Sequence, residues 1–503
     1  MSDTSYLEVL RLAAPEALLV LTLLAVLAAD FTGLRGLPQR TRLTVCALIV
    51  VVGCVISSAL ILAIAPEGEI MRGMLVSDSL TRLLKVAILF LAAATALLSV
   101  DHGFTEHAAE YFAMLLLATL GMMFLVSSED ILMIFVSLEL TSLSLYVLAA
   151  FNKSSMASAE AALKYFLFGG VSAAFTLFGL SLVYGITGST NLDDIAAQLC
   201  GKGTGAPPMD PLLVLALILT IIGFGFKVAA VPFHLWAADV YQGAPGPTAA
   251  FIASGSKVAS FFILAKLLLV GFRDLEGTST LGGGVAGWMP LLALMAVASL
   301  ILGNLAAIVQ TSVRRLLAYS AIAHAGYMLV GFMSSGAESL AAIVYYAITY
   351  AITALGTFAV VMAVEAGAGN DRLRDFAGLS RRSPLLSACL LVFMLSLAGI
   401  PPLAGFFGKF YVFASALNTD SGSLSALWLV LLALAMSAVS LYYYLQVLKQ
   451  VYVLPAEPGA APVIVSLPTA FTVVVLAGAT VILGCAPQLL VGPLLQAVRL
   501  AGF

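Results

Sequence analysis

Residues 223–247 read GFGFKVAAVPFHLWAADVYQGAPGP. An apolar run from about 211 to 240 is longer than the roughly 20 residues one straight membrane crossing needs. Lys227 lies in its middle, and Pro232 follows within two helical turns. Proline removes a backbone donor and leaves a carbonyl unpaired, so a helix containing it kinks or stops. The run therefore reads as a broken span with a buried lysine beside the break. A second stretch, LAGIPPLAGFFGKFYVF at 397–413, has the same ingredients in Pro401, Pro402 and Lys409.

Working outward, runs of spanning length give fourteen candidates, near 13–31, 43–65, 78–100, 109–128, 131–151, 159–187, 211–240, 248–272, 289–311, 315–334, 339–366, 384–417, 424–453 and 467–490. They lack the in-out alternation of a membrane barrel, which leaves helices as the spanning form. The broken runs are the seventh and twelfth. Five spans separate them, an odd shift that reverses orientation, as an inverted five-helix repeat would produce. The expected organisation is an all-α polytopic membrane protein. It comprises an N-terminal three-helix segment (1–108), a first repeat of spans four to eight (109–272), a second of spans nine to thirteen (273–453) and a C-terminal helix (454–503).

Composition agrees. Hydrophobic residues make up 62% and charged residues 10%, against about 25% charged in soluble domains. Mean hydropathy is +1.09. The net charge of -3, with no basic run, gives nucleic acid no purchase. The five cysteines form no C-x-x-C pair and read as small apolar side chains. Four histidines without H-E-x-x-H give a metal site no support. The first apolar run, interrupted by Glu16, reads as a retained span rather than a cleaved leader. GKGTGAPPMDP at 201–211 reads as a solvated connection.

Loops after odd-numbered spans carry Arg35, Arg40, Arg42, Lys153, Arg314, Arg315, Arg372, Arg374, Arg381, Arg382 and Lys449. The N-terminus and even loops carry Arg11, Arg72, Lys202 and Arg273. Positive loops stay cytoplasmic, so both termini are expected on the opposite, periplasmic side.

A cationic residue at the centre of a membrane helix costs roughly 2.5–3.5 kcal/mol. It persists where it faces protein or water and has a task. Glu139, in MIFVSLELTSLSLYVL (133–148), is the carboxylate deepest in any run. Lys227, Lys257 (in AAFIASGSKVASFF, 249–262) and Lys409 are the central lysines. Burial disfavours a charged form and an opposite charge favours it, so a Lys–Glu pair whose separation changes can load and release a proton. A structural ion pair is the other reading. Lysine cannot ligate Na⁺, which favours protons. Three weaker candidates are open between relay and structure: Lys164 in ALKYFLFGG, His234 after the first break, and His324 in YSAIAHAGYM. Lys85 and Lys266 read as snorkelling to a surface.

At SLELTSLSLYVLAA (137–150), EAALKYFLFGG (160–170), residues 223–259 and LSLAGIPPLAGFFGKFYVF (395–413), the chain resembles the antiporter-like subunits of proton-pumping NADH:quinone oxidoreductase, respiratory complex I. Within that group it resembles the subunit N family, by DVYQGAP at 239–245, by lysine rather than glutamate at 409, and by the want of a long lateral helix. GPTAA at 246–250 departs from the Pro-Val-Thr-Ala of many relatives without touching a charge.

The resemblance implies a proton channel in the bacterial inner membrane, coupled to quinone reduction elsewhere. It implies Glu139 and Lys227 as a modulating pair, Lys257 as lateral carrier and Lys409 as terminal group. NADH, FMN, iron–sulfur clusters and quinone would belong to the complex and none to this chain, which lacks GxGxxG and clustered cysteines. Implied partners are subunit M-like and K/J/A/H-like membrane neighbours, the peripheral redox arm and lipid. Other readings are a subunit of a related cation/proton antiporter or membrane-bound hydrogenase, a solute transporter, and a structural subunit.

Overall fold

A computed structural model describes residues 6–63, 67–200, 210–278, 287–418, 426–456 and 462–501. Most of the 201–211 connection lies outside the described residues. Thirteen helices among the described residues are long and apolar enough to cross a membrane, from Ala14–Leu34 to Leu467–Cys485. They match the expected spans one for one except the twelfth, which is two shorter helices, Pro384–Ala398 and Ala404–Leu417. The chain is a multi-pass helical membrane protein. A two-stranded hairpin, Gly68–Ile70 with Leu75–Ser77, lies between the second and third spans.

Helix starts follow local chemistry. Asp130 accepts from the Leu132 and Met133 amides at the head of span five. Asp210 caps span seven ahead of Pro211, where the missing amide proton costs nothing. The breaks fall where the prolines require. Span seven runs Pro211–Val228, stops at Ala229 in left-handed geometry (φ 57, ψ 41), and resumes as Leu235–Gly243. Span twelve stops at Gly399 (φ 86), which favours glycine, and a side chain there would also crowd Lys409 Cδ at 3.1 Å.

A third break is not evident from proline. Span eight is interrupted at Ser254 (φ -113, ψ -80), between Gly246–Ala253 and Gly255–Lys266. Ser254 Oγ bonds the Ala250 carbonyl. Serine–glycine pairs are recurrent sites of helix kinks, and this one lies three residues before Lys257.

Backbone hydrogen bonds recur between the two halves. Ile131 N donates to Thr190 O (2.8 Å) and Leu192 N to Glu129 O (2.9 Å). In the second half Val313 N donates to Asp371 O (2.8 Å) and Leu373 N to Thr311 O (2.9 Å). The sixth and eleventh spans, Met156–Thr187 and Ala337–Ala368, each have 32 residues and end on a left-handed glycine, Gly188 and Gly369. Gly121 meets span five at Thr141 and Ser137, as Gly303 meets span ten at Ala323 and Tyr319.

The eleventh span is buried without interruption from Ser339 to Val364 and the tenth nearly throughout, and together they form the central spine. Spans one, six and thirteen present much of their apolar surface outward.

Two lysines depart from expectation. Lys85 does not snorkel: it is 2% exposed, and its ammonium lies 2.7 Å from Glu16, itself 1% exposed. Lys266, also 2% exposed, pairs with Glu129 at 2.7 Å. Hydropathy reports depth along a helix, not the direction a side chain faces, and both residues face inward to a carboxylate of a neighbouring segment. Cys46, Cys54 and Cys389 are buried, whereas Cys200 and Cys485 are exposed at helix ends.

Candidate functional site

Glu139 and Lys227 come together across spans five and seven. Glu139 Oε1 lies 3.6 Å from Lys227 Nζ, which also donates to Ser142 Oγ at 2.5 Å. Ser142 is one helical turn beyond Glu139, so one face of span five presents both partners. Lys227 sits two residues before the left-handed Ala229, in the last turn of its half-helix. Carbonyls at a helix C-terminus lack intrahelical partners and carry the negative end of the helix dipole.

Lys257 uses one of those carbonyls. Its ammonium donates to Val228 O (2.9 Å) and to Ala321 O of span ten (3.0 Å). A single buried side chain thus joins the break in span seven to the central spine.

One turn beyond Ala321, His324 is clamped on both nitrogens: Nδ1 is 2.8 Å from Tyr346 OH and Nε2 is 3.1 Å from Tyr444 OH. Tyr444 OH also pairs with Ser320 Oγ. Of the two readings open for His324, the structure sets it in a polar cluster on the spine, between Lys257 and Lys409 in the run of helices.

Lys409 Nζ donates to Ala398 O (3.1 Å), at the broken end of span twelve, and to Ser437 Oγ of span thirteen (2.8 Å). It stands 4.7 Å from the centroid of the Tyr327 ring. Tyr327 OH accepts from Asn304 Nδ2 (3.3 Å), and Asn304 Oδ1 accepts from Tyr443 OH (3.1 Å).

Two weaker candidates fall elsewhere. Lys164 is 37% exposed on its side chain, paired with Glu160 and Asp239 at 2.6 Å each, and Asp239 also binds Arg315 at 2.8 Å. It belongs to a rim network that fastens the second half of span seven to span ten. His234 heads that half-helix, and its buried Nδ1 has no hydrogen-bond partner among the described residues. Neither bonds to the central lysines.

Sequence reasoning missed Asn304, Tyr327, Tyr346, Ser437, Tyr443 and Tyr444. Two signals could have found some of them. Asn304 is an amide inside an apolar span, and Tyr442–Tyr444 is a run of hydroxyls inside another. No cluster of His, Cys, Asp or Glu able to hold a metal occurs among the described residues.

Broken spans lined by buried amines, around two helices sealed in the interior, define an antiporter-like membrane subunit. The family profile described as NADH:quinone oxidoreductase/Mrp antiporter, TM, matches residues 128–437, and the chain belongs to that family. NADH-quinone oxidoreductase subunit N 2 of Acidobacterium capsulatum is 50% identical, over 97% of this chain and 99% of its own length. A chain of respiratory complex I from Thermus thermophilus, solved with bound Aureothin, is 34% identical with TM-score 0.76, covering 95% of this chain and 98% of that one. A chain of the Mrp complex from Dietzia shares the fold at TM-score 0.80, with 20% identity, 98% of this chain and 97% of that chain covered.

Proposed function

We propose that this chain is the N-type antiporter-like subunit of a proton-translocating NADH:quinone oxidoreductase. Protons move along Glu139, Lys227, Lys257 and Lys409, coupled to quinone reduction in partner subunits. The observation that carries the reading is the bridge made by Lys257, whose ammonium touches the break beside Lys227 and the spine that leads to Lys409. The relative at 50% identity, named as subunit N, supports the assignment to that complex over a cation/proton antiporter or membrane hydrogenase.

The chain's own residues do three things in this scheme. Glu139, Ser142 and the charges near them set how tightly Lys227 holds its proton, and a change in the 3.6 Å separation changes that hold. Lys257 carries charge laterally between the halves. Lys409, at the second break, is the terminal group. NADH, FMN, iron–sulfur clusters and quinone act in other subunits. Residues 109–272 and 273–453 serve as the two repeat units, in the plasma membrane with both termini periplasmic. Lys164 and His234 take structural places beside the path.

The surface around Glu139 supports membrane partners. Leu132, Val136, Leu143 and Val147 are each about half exposed and share one stripe of span five. Glu139 lies on that stripe with 24% of its side chain exposed. Hydrocarbon is a poor environment for a mid-span carboxylate, so this face seats against another subunit.

Glu139→Gln keeps the side-chain shape and removes the charge that responds to Lys227. In sealed vesicles holding the assembled complex, proton uptake and NADH:quinone turnover are expected to fall together by about tenfold or more. Wild-type values for both in Glu139→Gln would refute the coupled role of the pair.

A further inference from the structure

The two broken spans hold their lysines differently. Lys227 has a carboxylate at 3.6 Å. No ion pair reaches Lys409 among the described residues, although its side chain is fully enclosed with 5% exposure. Its ammonium meets a backbone carbonyl, a serine hydroxyl and the face of Tyr327. The first two are neutral acceptors. The third is a π-face at 4.7 Å at a buried site, and burial is a setting in which the ring quadrupole attracts a cation more strongly than at a surface.

The ring is also held in place. Its hydroxyl accepts from Asn304 Nδ2, which donates to the Leu300 carbonyl at 2.8 Å as well. A carbonyl can only accept, so the amide nitrogen must face Leu300 and Tyr327 while Oδ1 faces Tyr443. His324 (centroids 5.7 Å) and Phe413 (6.2 Å) both pack against the ring in T-shaped contacts.

We propose that Tyr327 is the positioning counter-group of Lys409, doing with a π-face beside span twelve what Glu139 does with a carboxylate beside span seven. The consequence is an asymmetry between the halves. A carboxylate can itself take up the proton it helps to hold, whereas a ring face attracts the ammonium and never binds its proton. Among the described residues a proton on Lys409 therefore has no ion-paired acidic neighbour to return to, and what leaves the site leaves from the amine. The proposal rests on Lys409 being part of the proton path.

The test compares Tyr327→Phe, Tyr327→Leu, Lys409→Ala and the double variant Tyr327→Leu/Lys409→Ala, each in the whole complex reconstituted in sealed vesicles. Assembly is checked by native gel, and the initial rates of proton uptake and NADH:quinone turnover are read together. Phenylalanine keeps the π-face and is expected to retain at least about half of the wild-type uptake, while leucine loses about tenfold. Added to Lys409→Ala, Tyr327→Leu should cost nothing more, because its effect runs through the amine. Equal damage from Phe and Leu would assign the effect to the hydroxyl and overturn the proposal, as would wild-type uptake in Tyr327→Leu. A further loss on the Lys409→Ala background would show a packing role instead. Should Tyr327→Leu fail to assemble, Tyr327→Phe decides alone: retained uptake supports the ring, and tenfold loss overturns it. Wild-type pumping in Lys409→Ala would bring down the underlying path reading rather than the pairing of ring and amine.

Discussion

Lys257→Met is expected to lower proton uptake and NADH:quinone turnover together by about a hundredfold, as removal of an obligatory proton carrier does. Methionine fills the space of a side chain that is 1% exposed. It leaves the Val228 and Ala321 carbonyls, which can accept hydrogen bonds and carry no proton. A sharper variant is Lys257→Arg. Guanidinium can reach the same carbonyls and remains charged at any physiological pH. Arginine should thus preserve the structure and still block transfer. Joint loss in both variants, with the chain still in the complex, marks Lys257 as a carrier. Activity in Lys257→Arg would reduce it to a strut between span seven and the spine.

The second large effect concerns stability. Glu16 and Lys85 form a buried pair at 2.7 Å in the N-terminal segment, outside both proposed repeats. Removing one partner strands the other's charge, a change that costs about 3–5 kcal/mol in buried pairs. Replacing both with apolar residues of similar volume is often neutral or better. Lys85→Met and Glu16→Leu are therefore each expected to release this chain from the complex at lower temperature. The double variant should return close to wild type with normal proton uptake. Thermal dissociation followed on native gels distinguishes these outcomes. A double variant that assembles yet fails to pump would place the pair in the proton path.

Much of this architecture is legible in the sequence because the bilayer constrains it so strongly. Run length sets the number of crossings, and Pro232, Pro401 and Pro402 place two of the three breaks. Mid-span position singles out Glu139, Lys227, Lys257 and Lys409, and the structure sets Glu139 and Lys227 3.6 Å apart. What escapes a linear reading is the direction a side chain faces. Lys85 and Lys266 lie close enough to span ends to snorkel, yet Lys85 points at Glu16 on a neighbouring helix and Lys266 at Glu129 in the loop between spans four and five. Lys164 looks much like them on paper and also meets a carboxylate on a neighbouring helix, Asp239, but with more than a third of its side chain exposed. Neutral polar groups are harder still. Tyr442 is 54% exposed while Tyr443 and Tyr444 are buried, a difference set by roughly 100° of helix rotation per residue that the triplet itself does not reveal. The kink at Ser254 carries no proline, and only the packing of its helix distinguishes it from other small-residue stretches.

The central claim is that the buried amines carry the coupled proton. Its most direct test is Lys227→Ala in the assembled complex, with NADH:quinone turnover and proton uptake followed together in sealed vesicles. The account predicts that both fall together by about tenfold or more while the chain remains in place. Wild-type turnover and uptake in that variant would make Lys227 a structural residue and would contradict the charged line as a path.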